Sequence, residues 1–253
     1  MTRSSSRPSR IGILYDDPDL TIIDKPAGVT SISERWDPNL PTAIDLLWAE
    51  WKKRDPDAPR PHVVHRLDKD TSGLLAFARH RDAQVAMREQ FRVRTVEKRY
   101  LALTAGIPNP PDGQIEIEIE SDPSNPGRVR TIKKGGKACF TEYRTLAVHG
   151  WYAWVELHPR TGRTHQLRIS LREVSAPIVA DPFYGDGLPV FLSKVKRNYH
   201  VGRGQTERPI LGRLGLHAAS LTFDHPSTGV RTTVLAPLPK DLRTTLRQLE
   251  RWS

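Results

Sequence analysis

The side chains best suited to chemistry are concentrated in residues 65–73, which read HRLDKDTSG. Arg66 could contact a base or a phosphate, and Asp68 could act as a nucleophile or stabilise an electron-poor carbon. Gly73 permits a tight turn. The same residue types are common in solvated turns, and composition alone favours that interpretation. Motifs in the rest of the chain favour a functional site over a solvated turn.

The elements on either side of this stretch predict a loop held by rigid structure. An apolar run at residues 74–78 follows at once and is typical of a buried strand. Residues 42–53 carry apolar side chains at helical spacing, and residues 82–94 have the pattern of an amphipathic helix. Catalytic groups are often found on loops that a scaffold positions, so the pattern favours a site at residues 65–73.

Short strands joined by turns predict an α+β fold with a mixed, mostly antiparallel central sheet flanked by helices and loops. Thr164 is expected to cap a helix running to about residue 174. Residues 121–137 are expected to form a mobile loop, and leucines at helical spacing predict a C-terminal helix. Further strands are predicted at residues 11–15, 20–24, 96–104, 115–120 and 151–157, and a hairpin at 217–223 and 230–236.

Length and composition exclude several classes of protein. With 37% apolar residues and six tryptophans, the 253-residue chain is expected to be globular, with one domain at residues 11–253 after a flexible basic arm at residues 1–10. No apolar run approaches the roughly 20 residues that cross a bilayer, and a cytoplasmic location is expected. Cys139 is the only cysteine, which excludes an intramolecular disulfide and a cysteine-based zinc site; we expect no metal.

The net charge of +10 indicates a polyanionic partner. RNA, DNA and an anionic membrane all fit this charge. No basic amphipathic helix of the membrane-binding type stands out, which favours nucleic acid.

Five stretches, taken in order, resemble the motifs of a family of pseudouridine synthases that modify large-subunit ribosomal RNA and tRNA. The similarity runs from about residue 11 to about residue 238. The stretches are Lys25-Pro26-Ala27-Gly28; His65-Arg66-Leu67-Asp68 with Thr71-Ser72-Gly73; Glu97-Lys98-Arg99-Tyr100; Arg160-Thr161-Gly162-Arg163-Thr164-His165-Gln166-Leu167-Arg168; and Leu216-His217-Ala218 with His225-Pro226.

The resemblance implies a reaction without a cofactor, in a cleft across the sheet. A uridine is flipped from its stack, its glycosidic bond is cleaved, and the uracil rejoins the ribose through carbon 5. Asp68 matches the essential aspartate, which either adds to the ribose or assists by abstracting a proton. Arg168 matches the arginine partner of that carboxylate, and Tyr100 the residue that lies against the flipped uracil. Arg66 matches the arginine that fills the gap left by the base.

The other matched residues are expected to contact RNA or to shape the site. They are His65, Thr71, Arg163, Thr164, His165 and Gln166. His217 is expected to be a buried structural histidine. Ser170 stands where family members commonly have a histidine, which puts the detail of the pocket's edge in doubt.

A basic segment at residues 191–213 is longer than expected of the smallest family members. With Tyr199 interleaved, it could follow an RNA backbone, or it could be a solvated insertion. It carries Lys194, Lys196, Arg197, Arg203, Arg208 and Arg213 against one acid, Glu207. Some relatives carry an N-terminal S4-type RNA-binding domain, which is not expected here because about ten residues precede the first motif.

Together these patterns predict an RNA pseudouridine synthase that acts on structured ribosomal RNA or tRNA. We expect a monomer with no obligate protein partner and no membrane association. The alternative is a non-catalytic RNA-binding or ribosome-assembly factor on the same fold, but the presence of Asp68, Tyr100 and Arg168 favours the enzyme. A zinc base deaminase needs a cysteine pair and is excluded.

Overall fold

The computed structural model describes residues 11–33, 41–202 and 204–253, so the predicted arm at residues 1–10 and Arg203 lie outside the described residues. The described ranges contain eleven strands, four α-helices and one 3₁₀ helix at Leu192–Lys194. The strands are β1 (Gly12–Asp16), β2 (Leu20–Lys25), β3 (His62–Val63), β4 (Ser72–Ala78), β5 (Glu97–Ala105), β6 (Asp112–Ser121), β7 (Val129–Ile132), β8 (Lys137–His149), β9 (Tyr152–Pro159), β10 (Leu216–Asp224) and β11 (Arg231–Leu235). The helices are α1 (Ala43–Arg54), α2 (Arg81–Val93), α3 (Gln166–Glu173) and α4 (Lys240–Trp252).

The chain divides into two compact units. The first contains residues up to Val96 together with Ser220–Ala236, and the second contains Glu97–Ala219 together with Pro237–Ser253. Strands and helices occur in both units, and the α+β prediction is confirmed. That residues 11–253 form one domain stays a prediction.

In the first unit, β2 lies between β1 and β4 and pairs with both in antiparallel fashion. β3 adds to β4, and the predicted hairpin of β10 and β11 is present from Ser220 onward. All seven residues of β4 are buried, which explains its uninterrupted apolar run. Leu74, Met87 and Phe223 belong to the core of this unit, so the strand after the HRLD stretch is fixed by packing.

In the second unit, the strands pair in the order β5, β9, β8, β6, β7, all antiparallel. Alternate residues of β5 enter two different cores: Ala102 packs with Leu167 of α3, and Leu103 packs with Leu242 of α4. The predicted alternation of residues 96–104 is therefore confirmed. Each helix covers one side of the strand that carries Tyr100.

Two local predictions are wrong, and one strand was missed. Residues 121–137 are not one loop, because they contain β7, which pairs with β6. β8, the longest strand in the described ranges, was not predicted. The residue preceding α3 is His165, in a left-handed conformation (φ 54°) and without a side-chain capping bond, so Thr164 does not cap this helix. Within the described ranges, no helix has the length and apolar character that a membrane span requires.

Candidate active site

Asp68 lies in the irregular segment between β3 and β4. Its carbonyl oxygen accepts a hydrogen bond of 3.2 Å from the Thr71 N–H, which closes a turn. Gly73 has a φ of 106°, in the region that favours glycine, as its place in the motif predicted. Leu67 is buried, whereas Arg66 is exposed and Asp68 half-buried. The segment is thus anchored through Leu67, between an exposed arginine and a half-buried carboxylate.

Residues 25–31 clamp this loop from one side. Lys25 is fully buried, with 0% of its surface exposed. Its ammonium group donates to the carbonyl oxygens of Pro26 (3.0 Å), Val29 (2.7 Å) and Lys69 (2.9 Å). The Ser31 hydroxyl donates to the Leu67 carbonyl oxygen (2.8 Å) and accepts from the Leu67 N–H (3.0 Å).

These bonds fix the backbone immediately before and immediately after Asp68. The sequence analysis matched Lys25 to the first family motif but gave it no role, so its part in positioning the loop was missed. The carbonyl oxygens of Val29 and Lys69 come from separate segments, and one buried ammonium joins them.

His65 is held inside the first unit. Its Nε2 accepts a hydrogen bond of 3.0 Å from the Ala76 N–H in β4, and its ring stacks on Phe91 of α2 with 4.7 Å between centroids. A neutral histidine that accepts at Nε2 carries its proton at Nδ1. These contacts give His65 a supporting position between the loop, a strand and a helix.

Tyr100 and Arg168 both belong to the second unit, whereas Asp68 belongs to the first. Tyr100 is half-buried on β5, opposite Leu157 of β9, and packs at the edge of a core that includes Leu167. The strand therefore sets its backbone position through ladder hydrogen bonds on a rigid sheet.

Arg168 makes a buried, two-pronged ion pair with Asp181. Its Nε and Nη2 each donate over 2.7 Å to one carboxylate oxygen, and the two side chains are 5% and 0% exposed. Asp181 also accepts from the backbone N–H groups of Phe183 (2.8 Å) and Tyr184 (3.2 Å). Bidentate pairs hold a guanidinium in one plane, so Asp181 positions Arg168.

Two aromatic rings complete the setting of Arg168. Its Cζ lies 5.0 Å from the centre of the Phe183 ring and 5.2 Å from that of Tyr184. The Tyr184 hydroxyl is 3.0 Å from Nδ1 of His165 and accepts from the Val129 N–H (2.9 Å). Asp181 and Tyr184 were missed by the sequence analysis, since nothing in residues 181–184 marks them without knowledge of the folded contacts.

Gln166 and Thr161 build the turn before α3. The Gln166 amide donates to the Phe140 carbonyl oxygen and to the Thr141 hydroxyl, each at 3.0 Å. Its oxygen accepts from the Thr161 hydroxyl (2.7 Å) and the Arg163 N–H (3.1 Å). All four hydrogen-bonding positions of the amide are used within the fold, which makes Gln166 a structural residue of the loop.

The remaining predicted RNA-contact residues differ in exposure. Thr71 is buried, whereas Arg163, Thr164, Lys194, Arg197 and Arg208 are exposed. Lys196 lies over the ring of Trp252, with Nζ 4.4 Å from its centre. Arg213 donates twice to Asp241 (2.7 and 2.8 Å), so this cation of the 191–213 segment is engaged within the protein. Ser170, the departure from the family pattern, is fully buried.

Among the described residues, Asp17, Asp19 and His225 bring their ligand atoms within 4.8 Å of one another. Nε2 of His225 is 2.7 Å from Asp17, while its Nδ1 accepts a hydrogen bond of 3.3 Å from the Thr228 N–H. Because Nδ1 is an acceptor, the proton of a neutral His225 lies on Nε2 and is donated to Asp17. The group is thus a hydrogen-bonded cluster that ties the β1–β2 turn to the β10–β11 turn.

Comparisons with known proteins place residues 19–173 within the model of a family described as RNA pseudouridylate synthase. "Ribosomal large subunit pseudouridine synthase D" of Neisseria meningitidis serogroup B is 34% identical over 237 residues, 93% of this chain and 60% of the relative. The protein of that name from Xanthomonas campestris is 33% identical over 245 residues, 96% of this chain and 70% of the relative. The solved structure of human RNA pseudouridylate synthase domain containing 4 matches with a TM-score of 0.72 and 28% identity, covering 94% of this chain and 93% of that one. The chain spans about 60% of the length of the Neisseria relative.

Proposed function

Because this chain belongs to the RNA pseudouridylate synthase family, we propose that it isomerises specific uridines in structured RNA to pseudouridine. The observation that carries the proposal is the half-buried carboxylate of Asp68 on a loop whose backbone is pinned on both sides by buried hydrogen bonds. We further propose ribosomal RNA or tRNA as the substrate, flipping of the target base, a monomer without an obligate protein partner, and a cytoplasmic location.

The proposed reaction moves one bond within a single nucleotide. The bond from uracil N1 to the ribose carbon breaks, a bond from uracil carbon 5 to that carbon forms, carbon 5 loses its proton, and N1 gains one. Cleavage leaves an electron-poor sugar carbon, which the Asp68 carboxylate either traps or stabilises. No external oxidant, reductant or cofactor enters this balance.

Arg168 is the proposed cationic partner of the reacting carboxylate. That role requires a guanidinium with a fixed plane, which the bonds from Nε and Nη2 to Asp181 supply. Nη1 takes no part in the pair with Asp181. A cation near a carboxylate favours its ionised form, which is the form needed for attack on carbon.

Tyr100 and Arg66 are the proposed contacts to the flipped nucleotide and to the gap it leaves. Stacking of a base on an aromatic ring is worth about 1–3 kcal/mol, and extrusion of a base costs a few kcal/mol. Half-burial on a strand suits Tyr100 to be a fixed plane, and exposure to solvent suits Arg66 to a contact outside the protein.

The proposal is tested by release of tritium from RNA transcripts labelled at carbon 5 of uridine, since formation of the carbon–carbon bond at that atom expels the label. Wild-type protein should release tritium from large-subunit ribosomal RNA or tRNA transcripts. Asp68→Asn should release none while binding RNA with nearly unchanged affinity. Asp70→Asn, in the same loop and without an assigned role, is the matched control and should stay active.

Two results would overturn the proposal. Tritium release by Asp68→Asn at the wild-type rate would remove Asp68 from the chemistry. Tight RNA binding by the wild type with no release from any transcript would favour the non-catalytic RNA-binding factor. Sequencing of pseudouridines in the product RNA then identifies the modified position and distinguishes ribosomal RNA from tRNA.

A further inference from the structure

The outer side of α4 carries four exposed basic residues, Lys240, Arg243, Arg247 and Arg251. We call these four residues the α4 basic face. At 3.6 residues per turn they fall within an arc of about 80° and extend over about 16 Å of helix. Such a row of cations is a strongly charged surface on a rigid element.

The opposite side of α4 packs into the core of the second unit. Leu242 and Leu249 are buried in a core with Leu103 and Leu211, and the Thr245 hydroxyl donates to the Ile210 carbonyl oxygen (3.1 Å). The sequence analysis predicted this C-terminal helix from its leucines and found no basic amphipathic helix of the membrane-binding type; α4 is basic and amphipathic. Because its apolar side is buried in the protein, this helix cannot insert an apolar face into a bilayer as membrane-binding helices do.

The cations of the α4 basic face are not neutralised by their neighbours. Among the described residues, no carboxylate forms an ion pair with any of the four. Asp241 is bound by Arg213, and Glu250 does not pair with Arg247 although it lies three residues away. Like charges four residues apart disfavour a helix, and of the four cations Arg251 alone lies in the last turn, where the helix dipole favours a cation.

The C-terminal end of α4 adds an aromatic edge. Arg251 and Lys196 both lie over the Trp252 ring, at 4.8 and 4.4 Å from its centre. A Cβ placed on Gly150 would lie 3.5 Å from the Ser253 side chain, so the turn carrying Trp151 adjoins this end. Trp151 is 77% exposed, which leaves its ring available for stacking.

We propose that the α4 basic face binds the phosphate backbone of the substrate RNA outside the target nucleotide, with Trp151 at its end contacting a base. This inference rests on the proposed function for the identity of the polyanion. Phosphates match the charge of these four side chains, which form no ion pair among the described residues, and three of the four carry guanidinium groups that suit phosphate in hydrogen-bond geometry.

The test compares RNA binding at a series of potassium chloride concentrations for two triple variants that remove the same charge. The α4 variant changes three residues of the α4 basic face: Arg243→Gln, Arg247→Gln and Arg251→Gln. The control variant changes three exposed cations of α2: Arg81→Gln, Arg88→Gln and Arg92→Gln. The probe is a fluorescein-labelled RNA hairpin with uridines in its loop. For the α4 variant, the slope of log affinity against log salt should become shallower by about 2 to 3, and affinity at ~0.1 M salt should fall on the order of 10²-fold.

The melting temperature of the α4 variant should equal or exceed that of the wild type, since glutamine retains helix propensity and removes repulsion. An unchanged salt slope, or an equal change in both triple variants, overturns the proposal. Binding to vesicles of anionic phospholipid is measured as well. If the α4 variant loses vesicle binding but binds RNA as the wild type does, the proposal is overturned. Tritium release is measured on the wild type alone. If the wild type releases no tritium but the α4 variant has a shallower salt slope, the proposed enzyme activity is rejected and the RNA-binding surface stands. If the wild type releases tritium and the salt slope of the α4 variant is unchanged, the activity stands and the surface is rejected.

Discussion

Nζ of Lys25 lies 2.9 Å from the carbonyl oxygen of Lys69, the residue that follows Asp68. A fully buried ammonium thus binds the backbone next to the proposed catalytic carboxylate. Its two other carbonyl partners, of Pro26 and Val29, lie in the segment that follows β2, so the three bonds use all the donors of the group.

Lys25→Met should destabilise the protein strongly. The substitution keeps the side-chain length but leaves three carbonyl oxygens without this donor, at about 1–3 kcal/mol for each buried group. We expect the free energy of unfolding, measured with urea, to fall by about 3 kcal/mol or more. Lys69→Met is the control, because it removes an exposed side chain and keeps the carbonyl. Equal losses of stability in the two variants would contradict a stabilising role of the three hydrogen bonds from Lys25.

Asp181→Asn should lower both stability and activity. Breaking a buried ion pair from one side costs about 3–5 kcal/mol, because the remaining charge stays buried. With Arg168 no longer fixed, pseudouridine formation should slow by at least ~10²-fold. Asp241→Asn breaks a pair of similar geometry with Arg213 at a more exposed place, and should cost about 1 kcal/mol or less. A mild effect of Asp181→Asn in both measurements would remove it as the positioning residue.

Acid should unfold the first unit in part through Asp17. Burial acts to raise the pKa of Asp17, but hydrogen bonds from Tyr15, Leu20 and His225 outweigh it and hold the pKa below its usual value of 3.8. A lowered folded pKa means that this stabilisation is complete above the usual value and is lost as pH falls through the folded one. Asp17→Asn should therefore show a flatter decline of stability in this acidic range than the wild type. Urea unfolding at several pH values checks this, and identical slopes would contradict it.

Cys139 should react slowly with thiol reagents while the protein is folded. Burial raises the pKa of its thiol to about 11, from a usual value of 9.0, with a smaller opposing effect of Arg163. The thiolate is the reactive form, so at neutral pH labelling should be about 10²-fold slower in native than in urea-unfolded protein. The rate of colour release from an aromatic disulfide reagent measures this, and equal rates would mean that residue 139 is accessible.

Patterns of apolar residues predicted most strands and helices, because in these elements the apolar positions in the sequence are also the positions that are buried in the fold. In β4 an unbroken apolar run meets a strand buried along its whole length, and in β5 alternate residues enter separate cores. In β8 the buried side chains include Thr141 and Cys139, so the inward positions are not marked by strong hydrophobicity. A strand built this way has no clear alternation to detect.

The roles of the site residues were predictable where a matched motif has a known role, and not where a role depends on contacts that only folding creates. Asp68, Tyr100 and Arg168 stand in recognisable stretches. Asp181 acts through a contact with a residue 13 positions earlier, and Lys25 through a bond to a residue 44 positions later. A lysine in sequence is expected at the surface, so its burial could be learned only from the structure.

The connectivity of the first unit sets an order of events during protein synthesis. Its core includes Leu221, Phe223 and Val234 as well as residues before Val96, and His225 binds Asp17 across 208 positions. The ribosome releases the N-terminal part first, so residues 11–96 wait in the nascent chain for partners that are not yet translated. A polypeptide halted before residue 220 would contain the whole HRLD motif and its partners Lys25 and Ser31, but it would lack the side chains of Leu221, Phe223 and Val234 that complete the core around β4. Completion of the core that supports β4, the strand after the Asp68 loop, is in this sense a late step, reached only after residue 236 has been added.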